Sequence, residues 1–277
     1  MNTPAFPFSL ANWLTAARAS AQQPPRRPRW PLWVAGQPVG SVEANFLGQI
    51  GLKGLLDKRY QLLKKEHSGT AEWHLQAPLD EVTLALNSLA EALRVLGCCG
   101  PWRNEQLAVC NATGQRIGTI ERGAVRMLGL ATQAVHLVGK VPDGRIWVQQ
   151  RAFNKPNNPG QWDTLMGGMV SAADSLPEAL AREAWEEAGL HLSALADVVH
   201  GGHLDFAMPS EEGDGSGYMR ERIDWFCCTV PDGLEPQNQD GEVEKFALLA
   251  PEAVGEAVAQ GQFTLEAGLV LANFWRL

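Results

Sequence analysis

The chain has 277 residues, 45% of them hydrophobic and 19% charged, which excludes a disordered polymer, and no apolar run approaches the roughly 18–20 residues of a helical membrane span. The formal charge of −8 divides unevenly: residues 1–130 carry 14 Lys and Arg against 9 Asp and Glu, whereas residues 131–277 carry 9 against 22. The asymmetry implies two domains, argues against a general nucleic-acid surface on the acidic half, and calls for metal ions wherever that half handles a phosphate compound.

In chain order, Ala19-Ser20-Ala21 imitates a signal-peptidase site, but no basic stretch precedes it and Asn12, Trp13 and Thr15 interrupt the apolar run, so no leader is expected. Residues 1–29 read as an N-terminal segment and tether, with a Pro/Arg-rich extended stretch over 22–32. Trp33-Val34 and Val39 to Val42 flank Ala35-Gly36-Gln37-Pro38 as a hairpin. Leu52 to Leu63 and Asp80 to Leu96 carry helical spacing, the second opened by Asp80 and closed by Gly97. Gln106 to Cys110 and Arg116 to Ile120 form a second expected hairpin, so residues 30–125 read as a small α+β domain. The five cysteines make no zinc or redox spacing and fit reduced thiols, which sets the expected location as cytoplasmic.

From residue 131 strands and helices interleave. Ala134 to Val138 and Ile146 to Gln150 are strands joined by Pro142-Asp143-Gly144, and a loop rich in Gly, Pro and Asn over 154–161 leads to Thr164 to Val170. Ala196 to His200 and Ile223 to Val230 are further strands, and Pro251 to Gln260 and Glu266 to Phe274 are helices. This is the pattern of an α/β domain.

Its most informative stretch is GMVSAADSLPEALAREAWEEAGL, residues 168–190. Ser175 and Glu178 make a capping box, Pro177 sits where a helix needs no donor, and Gly189 supplies a left-handed stop. Between them Glu183, Glu186 and Glu187 stand at i, i+3 and i+4, sharing one face, while Ala181, Ala184, Trp185 and Ala188 are expected to pack on a sheet. Arg182 precedes Glu186 by four residues and can hold its carboxylate. A solvated acidic face is the plain reading of three such carboxylates. Their mutual repulsion, and the Gly-Gly turn just upstream, point instead to neutralisation by Mg²⁺, a hard cation that takes carboxylate and phosphate oxygens.

The spacing of Gly168, Asp174, Arg182-Glu183, Glu186-Glu187 and Gly189-Leu190 closely resembles the Nudix box, G-x5-E-x7-R-E-U-x-E-E-x-G-U. Asp174 replaces the first Glu and Ala184 a bulkier aliphatic residue. Val135-His136-Leu137, Trp147-Val148, Arg151, Lys155, Pro159-Gly160, Asp163 and the later Asp240 to Glu244 extend the likeness, with Pro101-Trp102-Arg103 and Glu121-Arg122 as looser cues upstream. The layout is similar to the Nudix subgroup related to thiamine pyrophosphokinase in fungi and to certain plant Nudix proteins. The resemblance implies an α/β/α sandwich with a mixed sheet over residues 131–277, preceded by the small α+β domain.

It also implies roles. Glu186 and Glu187 become the firmest ligands of Mg²⁺, with Mn²⁺ as a substitute; Glu183 becomes ligand or general base, the Gly168 carbonyl completes the sphere, and Arg182 orients the carboxylates. Glu242 is the expected additional ligand and Glu244 its reserve, either of which could equally be a solvated acid. Arg151 and Lys155 could pin a diphosphate or be surface charges, and Trp162 could stack on a heterocycle or plug the sheet. His200 and His203 lack a third zinc partner and are set aside. The expected activity is hydrolysis of a diphosphate linkage in a nucleoside diphosphate derivative or related organic diphosphate, with thiamine diphosphate, its oxidised analogues and 8-oxo-dGDP-like nucleotides as candidates. The partner is a small-molecule diphosphate, with no membrane and no nucleic-acid polymer, and a homodimer is left open. The rival is a non-catalytic Nudix-fold metabolite binder or scaffold.

Overall fold

The structure is a computed structural model that describes residues 6, 8–50, 52, 56–67 and 69–277. Its first element is a helix, α1 (Phe8–Ser20). The four-stranded sheet that follows is built from β1 (Arg29–Val34), β2 (Gln37–Glu43), β3 (Gln61–His67) and β4 (Thr70–Gln76), in the order β2-β1-β4-β3. A single turn, α2 (Phe46–Gln49), leaves β2, and α3 (Val82–Val95) packs Val82, Ala85, Leu86, Leu89 and Leu93 beneath the sheet. The hairpin β5 (Gln106–Cys110) and β6 (Arg116–Glu121) closes this core with Leu107, Val109 and Ile120.

The second half holds a seven-stranded mixed sheet. Its strands are β7 (Ala131–Lys140), β8 (Ile146–Arg151), β9 (Trp162–Asp163), β10 (Met166–Met169), β11 (Ala196–Pro209), β12 (Tyr218–Thr229) and β13 (Val243–Leu249). The path is β11-β12-β7-β8-β13, with β12 parallel to β7. One face is covered by α4 (Leu176–Ala188), which buries Ala179, Leu180, Ala184 and Ala188 against Val135, Leu137 and Leu165. The other is covered by α6 (Pro251–Ala259), α7 (Leu265–Phe274) and α1, over Ala134, Val138 and Ile223. The tight turn α5 (Glu212–Gly215) links β11 to β12. Helices on both faces of a mixed sheet form the α/β/α sandwich expected, and the upstream sheet and α3 form a separate core.

The pairing of β7 with β8 lasts only two residues, Gly139 with Trp147 and Lys140 with Ile146. Beyond it the strands splay, and the chain from Trp162 to Met169 fills the wedge. β10 pairs with β7 (Gly167 opposite His136, Gly168 opposite Val135) and β9 pairs with β8 (Asp163 opposite Gln149). Polar residues from three strands, His136 of β7, Gln149 of β8 and Asp163 of β9, are thereby brought together inside a sheet.

Several expectations need correction. Residues 1–29 are not simply a tether: Leu10, Leu14, Ala17 and Ala21 of the α1 region are buried in the same core as Val254, Val258 and Leu269. In the span read as a helix from Leu52 to Leu63, residues 53–55 lie outside the described residues, Leu56 to Tyr60 form bends and turns, and Gln61 begins a strand. On α4, Ala181 is exposed and Trp185 is 44% exposed, its ring stacked on His191, while Leu180 takes the buried position. Among the described residues no helix is long and apolar enough to cross a membrane.

Candidate metal and phosphate site

The helix α4 is held where its caps dictate. Glu178 Oε2 accepts from the Ser175 N–H at 2.7 Å, completing the capping box, and Gly189 ends the helix at φ 63°. The loop ahead of it is tied to the first half of the chain. Ala172 N donates to Gln106 O at 2.7 Å, and Arg116 Nη1 donates to Ala172 O at 2.6 Å.

The three glutamates do not share one environment. Glu183 and Glu187 are buried and Glu186 is half-exposed. Arg182 gathers the outer pair: its Nη1 donates to Glu183 Oε1 at 2.8 Å and Glu186 Oε2 at 2.9 Å, its Nε to Asp174 Oδ2 at 2.9 Å, and its Nη2 to Met169 O at 3.1 Å. Asp174, one methylene shorter than Glu, still reaches the guanidinium. Glu187 turns inward, where Oε2 accepts from Gln149 Nε2 at 2.8 Å and Gly167 N at 3.0 Å. Burial is the main cause that raises the carboxyl pKa of Glu183 to about 7, against the pull of Arg182. Burial, reinforced by Glu183, raises that of Glu187 to about 8.

Gly168 is required by close approach, since a Cβ there would stand 1.9 Å from Glu183 Cδ. Gly167 faces the opposite way, against the His136 ring. The bare backbone of β10 is therefore a thin partition, with the helix carboxylates on one side and a trough on the other. His136 is buried, and its Nδ1 lies 3.0 Å from Thr164 Oγ1, which itself donates to Met166 O at 2.8 Å. The hydroxyl proton being committed, His136 Nδ1 must be the donor. Burial lowers the ring's pKa, so His136 is neutral with its proton on Nδ1.

Arg151 and Lys155 sit at the open end of the wedge. Arg151 Nη2 donates to Asn157 O at 3.2 Å, Nη1 lies 3.5 Å from Asp163 Oδ2, and the buried Nε has no partner among the described residues. Lys155 forms an ion pair with Glu242. Burial opposes the ionisation of Glu242, but Lys155, Arg103 and Arg122 outweigh it and hold the carboxyl below its ordinary range. Glu244 falls in a β-bulge between Val243 and Lys245 and is exposed. Trp162 packs against the core beneath Lys245 and does not line the cavity around Arg151, so its place is that of a sheet plug. His200 and His203 pair with Asp224 and Asp205.

Among the described residues no three acidic, His or Cys side chains converge on one point, because Arg182 stands between Glu183 and Glu186 and Lys155 engages Glu242. The donor chemistry nevertheless fits a hard divalent cation. All candidate ligands are oxygens, Glu183 Oε2 and Glu187 Oε1 have no hydrogen-bond partner among the described residues, and the buried Gln149 Oε1 beside Glu187 is also unpartnered. Sequence reasoning missed Gln149 and Thr164, whose role comes from the wedge, and Glu105, close enough to raise the pKa of Glu183 from across the two halves.

A family model described as NUDIX domain matches residues 131–269, just over half of the chain. The chain is 30% identical over 211 residues to "Nudix hydrolase 24, chloroplastic" of Arabidopsis thaliana, covering 72% of this chain and 56% of the relative. It is 30% identical over 122 residues to an isopentenyl-diphosphate Delta-isomerase of Kocuria rhizophila, covering 44% and 64%. The crystal structure of DR0079 from Deinococcus radiodurans superposes with a TM-score of 0.48 at 21% identity, covering 62% of this chain and 98% of that one. The chain spans about half the length of the plant relatives it matches. With the capped acidic helix, the glycine against Glu183 and a domain match that begins at β7 and runs into α7, the chain belongs to the Nudix family.

Proposed function

We propose that this protein is a divalent-metal-dependent hydrolase of the diphosphate linkage in a small organic diphosphate. The observation that carries the reading is the pair of buried carboxylates, Glu183 and Glu187, each with one oxygen that has no partner among the described residues, set behind the Gly167-Gly168 backbone, whose other face lines a trough with Arg122, Arg126 and Arg151. Glu183, Glu186 and Glu187, with the carbonyl of Gly168, would hold Mg²⁺ or Mn²⁺; Glu242 would join only by releasing Lys155. When bound, the cation supplies Lewis-acid polarisation of phosphate and water and screens the charge of the leaving phosphate.

The chain's own residues do the rest. Burial raises the carboxyl of Glu183 to about 7 and that of Glu187 to about 8 in the cation-free protein, so the ionised form of either is basic enough to accept a proton from an attacking water. The water oxygen then bonds to one phosphorus as the bridging P–O bond breaks. Arg182 keeps Glu183 and Glu186 oriented, and Arg151 and Lys155 meet phosphate oxygens. Arg126, Asn157, Asn158 and Glu266 continue the trough into a cavity of about 740 Å³ that also exposes Trp13, Met208, Phe263 and Leu265. That volume and its mixed lining suit a heterocyclic organic group. Thiamine diphosphate, its oxidised analogues and 8-oxo-dGDP-like nucleotides are the candidates, taken up in the cytoplasm.

The test is a Mg²⁺-dependent screen for phosphate release over organic diphosphates, isopentenyl diphosphate included. Wild type should release phosphate from at least one, and Glu187→Gln should lower turnover by roughly 1000-fold with the fold intact. Equal turnover in Glu187→Gln would remove the assignment. A double-bond shift with the diphosphate left whole would favour the isomerase named among the relatives.

A further inference from the structure

The first half of the chain does more than sit beside the acidic helix. A polar cavity of about 250 Å³ is lined by Arg103, Glu105 and Arg122 from that half and by Arg151, Lys155 and Glu242 from the other. Four cations face two carboxylates, and both carboxylates are already committed: Glu105 accepts from Arg122 Nη1 at 2.8 Å and Glu242 pairs with Lys155. The guanidinium of Arg103 makes no hydrogen bond to a described residue, and the buried Arg151 Nε has none either. The unspent guanidinium of Arg103 is what a phosphate needs, since its fork matches two phosphate oxygens, and Arg122, Arg151 and Lys155 line the same cavity with further positive charge. The volume lies below the roughly 300–1000 Å³ that encloses a whole organic ligand, so the cavity suits a phosphate group alone.

The walls are also pre-set. Glu121, 1% exposed, accepts from Arg103 N at 2.7 Å and from Gly123 N at 3.4 Å. One buried carboxylate thus fixes the backbone on which Arg103 stands and the turn that carries Arg122. Arg122 N donates to Glu105 O at 2.9 Å, and Gly100 N to Gly123 O at 2.8 Å, knitting the two loops together.

We propose that the first half of the chain contributes Arg103 and Arg122 to a two-sided clamp, opposite Arg151 and Lys155, that grips a phosphate of the diphosphate substrate. This rests on the hydrolase reading for its substrate but not for its binding chemistry. The first domain is then part of the substrate site, and its modest positive charge has a specific address.

The clamp is tested by calorimetric titration of the full chain with methylenediphosphonate, a diphosphate mimic that cannot be hydrolysed, in Mg²⁺. Arg103→Gln and Arg122→Gln should each raise Kd about tenfold, the worth of one charge-assisted contact. Arg122→Lys should recover part of that loss, and Lys65→Gln on the exposed edge of β3 should change nothing. Arg103 is exposed and makes only a backbone contact, so Arg103→Gln carries the test if Arg122→Gln fails to fold. With a cleaved substrate in hand, Arg103→Gln should raise KM far more than it lowers kcat. Loss of methylenediphosphonate binding in Arg103→Gln, with no diphosphate cleaved by wild type, would support the clamp and sink the hydrolase reading. Cleavage with KM and Kd unchanged in Arg103→Gln would do the reverse. Wild type that fails to bind methylenediphosphonate also overturns the clamp.

Discussion

Glu187 shows how far a single residue's environment sets its chemistry. Burial drives its carboxyl to about 8 and that of Glu183 to about 7, from a value near 4.5 in the unfolded chain. Both folded values lie above the unfolded ones, so the folded state binds these protons more tightly. Their contribution to stability is whole at low pH and is lost as pH rises through about 7 to 8. In a chelator the melting temperature should therefore fall between pH 6 and pH 9, by roughly 5 °C for a chain of this size. Mg²⁺ should restore it at pH 9 and matter less at pH 6, where protons compete for the same oxygens. Glu187→Gln should flatten the chelator profile; scanning calorimetry at the two pH values, with and without Mg²⁺, decides it. An unchanged slope in that variant would place the linked protons elsewhere. At this scale the sequence was informative about charge and uninformative about direction: i, i+3, i+4 spacing puts Glu183, Glu186 and Glu187 together, but only the packing of Leu180 and Ala184 turns Glu187 inward and leaves Glu186 with Arg182.

Among elements, α4 was legible because its signals are local. Ser175, Glu178 and Gly189 mark its ends without reference to the rest of the fold, and the observed helix matches them. Ser175→Ala should cost about 1 kcal/mol of stability, seen as a lower urea midpoint with unchanged slope, as expected for a lost cap. A changed slope would mean the loop from Ser171 has come away as well. The hairpin of β3 and β4 was illegible for the opposite reason. Gln61 to His67 places Leu62 beside Leu63 and Lys64 beside Lys65, with no alternation, and the strand is defined by its partner, Leu63 opposite His74 and Leu62 opposite Leu75. β13 is similar, an edge strand recognised by its register on β8 rather than by its own pattern. The wedge between β7 and β8 lay beyond sequence reasoning: the expected strand over Thr164 to Val170 is there as β10, paired with β7, but the two-residue β9 just before it, paired with β8, is too short to leave a pattern.

For the molecule as a whole, the surprise is how the two halves are joined. The opening helix crosses to the far core: Leu14, 6% exposed, packs among residues of α6 and α7. Leu14→Asp should destabilise by roughly 3 kcal/mol or more, the penalty of a buried unpaired carboxyl. Limited proteolysis should then cut first near α6 and α7; cutting confined to residues 30–125 would contradict this. Low charge and apolar residues all around α1 hid it in the sequence, where it reads as part of an N-terminal segment and tether. Charge asymmetry carried no hint that basic residues of the first half line a cavity together with residues of the second. The seam between the cores at Ala172 has a further consequence for descent and engineering. Its two bonds use Ala172 through main-chain atoms only, receiving from Arg116 and giving to the carbonyl of Gln106. A join of this kind leaves little trace in amino-acid identity: any small side chain that fits the buried position at 172 keeps both bonds. Proline there, which has no N–H to give, or an insertion that shifts the loop by one residue, would unfasten it. Relatives can therefore keep this arrangement of cores after their sequences have ceased to show it.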